Sequence, residues 1–180
     1  MVYLFLADGF EEIEGLTVVD LLRRAEIKIT TVSITGELMV AGSHGIKVEA
    51  DGLFEDYDYA DAELLVLPGG MPGTKNLAAH NELIELLKKF KREDKALAAI
   101  CAAPSILGEN GLLKGKEVTC FPGYEDKLLG AKATAARAVT DGNIITGKGM
   151  GTAIDFSLEI IRFLANYETA EKIGKTIQYL

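Results

Sequence analysis

Long apolar runs, basic patches and paired cysteines are all missing from this sequence, and each absence removes a class of function. No segment approaches the roughly 20 apolar residues of a membrane span. The apolar start, Val2 to Ala7, is too short for a signal-peptide core and runs straight into acids. Lysine and arginine number 19 against 27 aspartates and glutamates, a net charge of -8 that works against binding nucleic acid or an anionic membrane. The one basic cluster, Lys88, Lys89, Lys91 and Arg92, is followed at once by Glu93 and Asp94 and reads as the solvated end of a helix. The two cysteines, Cys101 and Cys120, fall in different predicted strands without CxxC or Cys/His spacing. That argues against a disulfide framework or zinc site and for a reducing compartment, the cytoplasm. Repeats, low-complexity tracts and Pro/Ser-rich linkers are absent too, so residues 1–180 read as one domain.

Short apolar runs alternate with amphipathic stretches, the pattern of a parallel sheet covered by helices on both faces. The predicted strands are Val2 to Ala7, Lys28 to Ile34, Leu64 to Leu67, Ala96 to Cys101, Glu117 to Cys120 and Asn143 to Thr146. Helical spacing predicts Ile13 to Ala25, Asn76 to Arg92, Thr152 to Ala165 and about Glu168 to Tyr179. Met39 to Glu49, with Gly42 and Gly45 inside it, reads as an antiparallel hairpin attached to the main sheet.

In an open parallel sheet, ligands gather where strands run into helix N-termini. Three loops there stand out: Asp8 to Glu14, Pro68 to Gly73, and Cys101 to Pro104. The apolar strand Leu97 to Cys101 passes into Ala102-Ala103-Pro104-Ser105 with no linker, so Cys101 is expected on the turn itself. The small neighbours Ala98, Ala99, Ala102 and Ala103 suit the tight reversal of a nucleophile elbow. A helix N-terminus beyond the thiol predicts a pKa below the ordinary value. Position alone is equally consistent with a small buried cysteine. Gly69 and Gly70 could lend N–H groups to an oxyanion pocket or merely form a turn. Of the acids Glu11, Glu12 and Glu14, capping and the helix dipole account for at least two. Glu14, beside Gly15, is the one that could point inward and stay protonated near sulfur.

Together, Gly9 to Glu14, Leu67 to Gly70 and Ala99 to Pro104 resemble the ThiJ/PfpI superfamily, most closely its DJ-one branch of parkinsonism-associated deglycases. Asp20 to Ala25 and Gly149 to Phe156 extend the resemblance over nearly the whole chain. It implies a flavodoxin-like α/β three-layer sandwich with a nucleophile elbow, and a homodimer. It further implies that Cys101 is hydrogen-bonded by a protonated Glu14, with Gly70 and Ala102 N–H groups around an oxyanion or a cysteine sulfinate. Relatives are assigned glutathione-independent glyoxalase, protein deglycase, peroxide-sensing and chaperone roles. Ala102 stands where the peptidase-like branch has histidine, and Phe121 where human-type proteins have a pocket histidine, so peptidase chemistry is disfavoured. His44 and His80, the only histidines, lie outside the three loops, which leaves them core or surface roles.

Gly147 to Gly151 lacks the acid that a dinucleotide loop requires, and the scattered acids form no recognisable metal set, so neither cofactor nor metal is expected. Two functions remain. One is a cofactor-free enzyme in which the Cys101 thiolate adds to a 2-oxoaldehyde such as methylglyoxal, free or as an early protein adduct. The other is a redox sensor or chaperone working through oxidation of Cys101, with Cys120 a buried inert thiol.

Overall fold

A computed structural model describes residues 1–180. Its main sheet has seven strands. Five short apolar runs form its parallel body: β1 (Val2–Leu6), β2 (Ile29–Ser33), β6 (Leu64–Leu67), β7 (Ala96–Ile100) and β11 (Ile144–Gly147). A two-residue strand, β5 (Gly52–Leu53), closes one edge, and antiparallel β10 (Ala138–Asp141) closes the other. The order is β10-β11-β7-β6-β1-β2-β5.

Alternation along each strand divides the core into two layers. Tyr3, Phe5, Leu65, Leu67, Leu97 and Ala99 face one side, which is covered by α2 (Gly73–Ala79), α3 (Asn81–Arg92) and α4 (Pro104–Glu109). Leu4, Leu6, Leu64, Val66, Ala98 and Ile100 face the other, under α1 (Glu12–Arg24), α5 (Ala153–Leu164) and α6 (Tyr167–Thr176). The result is the expected three-layer, flavodoxin-like sandwich with a mainly parallel sheet. Burial on both faces explains why its strands read as unbroken apolar runs.

Three expectations need correction. The stretch Asn76 to Arg92 is two helices, broken where His80 turns its ring back to accept the Leu83 N–H at 3.1 Å and so caps α3. Of Glu117 to Cys120, residues Glu117–Thr119 (β8) pair with β9 (Lys132–Thr134) in a separate parallel ribbon, because β10 already occupies the edge beside β11. The hairpin is real, with β3 (Met39–Ala41) antiparallel to β4 (Lys47–Glu49), but it is a sheet of its own since β5 takes the β2 edge. It is tied instead to the loop after β1: Gly9 N–H donates to the Ala41 carbonyl at 2.7 Å, and Ser43 N–H to the Phe10 carbonyl at 2.8 Å.

Candidate active site

The carboxyl ends of β1, β6 and β7 bring the three predicted loops together. Cys101 follows β7 directly and has φ +66°, the left-handed region that a residue with a Cβ seldom adopts. The elbow is held from both sides, since Cys101 N–H donates to the Gly147 carbonyl at 2.9 Å and the Cys101 carbonyl accepts from Phe121 N–H at 2.8 Å. Fixed in this way, the backbone keeps a conformation that costs of order 1–3 kcal/mol and carries the thiol clear of the strand.

Glu14 enters from the first turn of α1 and is 1% exposed. Its Oε2 accepts the Gly69 N–H at 2.9 Å, while Oε1 is buried with no hydrogen-bond partner. A Cβ at Gly69 would stand 2.6 Å from Glu14 Oε2 and 2.7 Å from the Cys101 Cβ, so only glycine lets acid and thiol meet there. Gly70, at φ +92°, turns its N–H toward sulfur together with that of Ala102. The five predicted site residues therefore converge, with the Gly70 and Ala102 N–H groups beside sulfur as the resemblance implies and one contact that sequence did not suggest: the Gly69 N–H serves Glu14.

Electrostatics departs from expectation. Burial first, then the charge and hydrogen bond of Glu14, push the Cys101 thiol up to about 12, and the Ala102 and Gly70 N–H groups only partly oppose this. The predicted lowering is thus reversed. The helix beyond is only six residues long and starts at Pro104, so its dipole is weaker than the burial. Burial likewise pushes Glu14 up to about 7, against the pull of Cys101 and the Gly69 N–H. The two titrate as one unit. Its first proton leaves near neutrality, and the second is then shared between sulfur and carboxylate into the alkaline range.

Glu11 and Glu12 do not cap α1 by side-chain hydrogen bonds. Glu12 turns to the hairpin tip, where His44 N–H donates to its Oε1 at 2.8 Å. Burial would raise its pKa, but hydrogen bonds from the His44 ring and from the N–H groups of Glu12, His44 and Ile46 hold it at about 2. Sequence separation hid this contact: His44 lies 32 residues from Glu12, and nothing local marks it as a partner. The Gly147 carbonyl that holds the elbow also left no signal, because any residue type would supply it. Cys120 is buried and packs in the layer opposite to that which Cys101 touches. Both thiols are free. Phe121 is 48% exposed and His80 is engaged in its cap.

An acid-paired thiol on a strand-to-helix elbow of a flavodoxin-like sheet defines a class, and the family model agrees. The DJ-1/PfpI family model matches residues 1–163, and the chain belongs to this family. Among its relatives, two Arabidopsis thaliana DJ-1 homologues, B and A, are 36% and 38% identical over 171 residues, 94% of this chain. The chain spans only 39% and 44% of their lengths. A Pyrococcus abyssi protein named as a deglycase is 29% identical over 165 residues, 91% of this chain and 98% of its own. The structure of oxidized Toxoplasma gondii DJ-1 superposes with a TM-score of 0.94 at 34% identity, covering 99% of this chain and 97% of that one.

Proposed function

We propose that the protein is a cysteine-dependent, cofactor-free glyoxalase or protein deglycase acting on 2-oxoaldehydes such as methylglyoxal or on their early protein adducts. The observation that carries this reading is the buried Glu14 carboxyl, with one oxygen unpartnered, beside a thiol on a strained elbow. With one proton shared between them, the thiolate can form by proton transfer to Glu14 without solvent. Sulfur then adds to the aldehyde carbon, and the alkoxide takes a proton to give a hemithioacetal. Glu14 removes the proton from the former aldehyde carbon and returns one to the adjacent ketone carbon, leaving a thioester of the 2-hydroxy acid. Water hydrolyses the thioester, releasing lactate from methylglyoxal and restoring the thiol. The Gly70 and Ala102 N–H groups stabilise the oxyanions along the way. The family includes a member named as a deglycase, which supports the enzymatic reading.

Purified protein mixed with methylglyoxal should release lactate, and Cys101→Ala and Glu14→Gln should not; lactate at the uncatalysed rate from the wild type would overturn the proposal. A second reading has its own support, since the unpartnered Glu14 oxygen could hold an oxygen added to sulfur, as in a peroxide sensor or a chaperone switched by oxidation of Cys101. Mass spectrometry after mild peroxide separates the two: the sensor requires Cys101 to oxidise well before Cys120. The active form is a homodimer, a reading supported by the apolar groove of about 630 Å³ lined by Ile13, Leu16, Ile46, Ile154 and Ile177 and by the exposure of Ile13 and Ile46. Two unpaired thiols suit the reducing cytoplasm. No helix is long and apolar enough to cross a membrane.

A further inference from the structure

The hairpin tip brings a second set of donor atoms to the start of α1. Ser43 Oγ lies 3.2 Å from Glu11 Oε2, 3.3 Å from Glu12 Oε2 and 3.1 Å from His44 Nδ1. His44 Nδ1 is in turn 3.0 Å from Glu12 Oε2 and 3.5 Å from Glu11 Oε2. Five of the six separations among these four atoms thus fall between 3.0 and 3.5 Å. A zinc ion bound at about 2.0–2.2 Å in a tetrahedron needs its donors about 3.3–3.6 Å apart. The donors stand close to that spacing without any shift of the backbone.

Two more observations separate this arrangement from an ordinary patch of surface acids. Glu12 is 4% exposed, and its Oε1 is fastened by the His44 N–H at 2.8 Å, which leaves Oε2 facing the imidazole and the hydroxyl. A Cβ at Gly42 would collide with Glu12 Oε1, so the tip closes over the carboxylate only because glycine stands there. One ligand is therefore oriented in advance by the backbone, as the outer-shell contacts of metal sites orient theirs. Neither Glu11 nor Glu12 makes an ion pair with a lysine or arginine; His44 is the sole basic group that meets them. Two carboxylates, an imidazole and a hydroxyl suit a zinc-class ion better than the all-oxygen sites of calcium and magnesium.

We propose that Glu11, Glu12 and His44, with Ser43 as fourth donor, form a tetrahedral site for a zinc-class divalent ion that ties the β3–β4 tip to the start of α1. Neither the proposed reaction nor the Cys101 pair is needed for it. The test is calorimetric titration of zinc chloride into the full chain carrying Cys101→Ala, so that the thiol cannot supply a ligand. One ion should bind per chain, and cobalt in its place should give the intense visible bands of tetrahedral coordination. His44 has a side chain 69% exposed, so His44→Ala keeps the fold; it and Glu11→Gln should each weaken binding at least about tenfold and abolish the cobalt bands. Binding unchanged in both variants, or no one-to-one binding by the unsubstituted site, would overturn the proposal.

Discussion

Glu12 and Glu14 stand two residues apart on the same first turn, both almost fully buried, yet the protein holds one ionised and the other protonated into the neutral range. The difference lies in what each meets. Glu12 is met by backbone N–H groups, a hydroxyl and an imidazole at the hairpin tip. Glu14 has one N–H, from Gly69, and the Cys101 thiol, while its Oε1 makes no hydrogen bond. Burial raises the pKa of both, more at Glu14 than under the thin cover of the hairpin tip, and at Glu12 the donors outweigh it. A satisfied carboxylate fastens structure. One left short of partners retains a proton that it can exchange with a neighbouring thiol.

The largest expected departure is in turnover. Glu14→Gln should lower lactate formation about 10²–10⁴-fold, the usual contribution of a general acid–base, while circular dichroism shows the fold intact; a loss below tenfold would mean that the acid only packs. The same substitution should raise stability, because Glu14 is costly to ionise in the fold. That penalty is absent below about pH 4.5, grows as the pH rises toward 7 and reaches up to about 3 kcal/mol above it. Urea unfolding at several pH values, with a chelator present, measures this. Glu12→Gln should do the reverse. The stability that ionised Glu12 contributes is complete above about pH 4.5 and is lost as the pH falls toward 2. Because the hairpin tip covers it only thinly, screening limits the cost at pH 7 to about 1–2 kcal/mol. If both substitutions moved stability in the same direction, the contrast between the two acids would be wrong. The smallest effect belongs to Cys120→Ala, which lies in the opposite layer and should leave turnover within about twofold.

Much of this arrangement was legible in the chain. Apolar runs buried on both faces mark parallel strands, and small residues around Cys101 mark the elbow, since only small side chains fit where a strand reverses into a helix. Glu14 and the Gly69-Gly70 loop were legible as partners of the thiol through the family resemblance, since the residues by themselves left a structural acid and a plain turn open. What was not legible depends on contacts made through space. Asn76 to Arg92 carries continuous helical spacing, and the break at His80 arises from a side-chain cap that periodicity does not register. The direction of the Cys101 shift is not legible in the chain, because adjacency in sequence reveals the helix start but neither the depth of burial nor the charge of Glu14. Glu11 and Glu12 looked like helix caps until the hairpin, 32 residues on, took them as partners.

The central claim is that Cys101 and Glu14 share one proton, and the rate of alkylation of Cys101 by iodoacetamide against pH tests it most directly. In the wild type, reactivity should rise through a step near pH 7, where the pair loses its first proton, stay level, and rise again only when the second proton leaves in the alkaline range. In Glu14→Gln the neutral step should vanish, leaving a single rise in the alkaline range. Identical profiles in the two proteins would contradict the account.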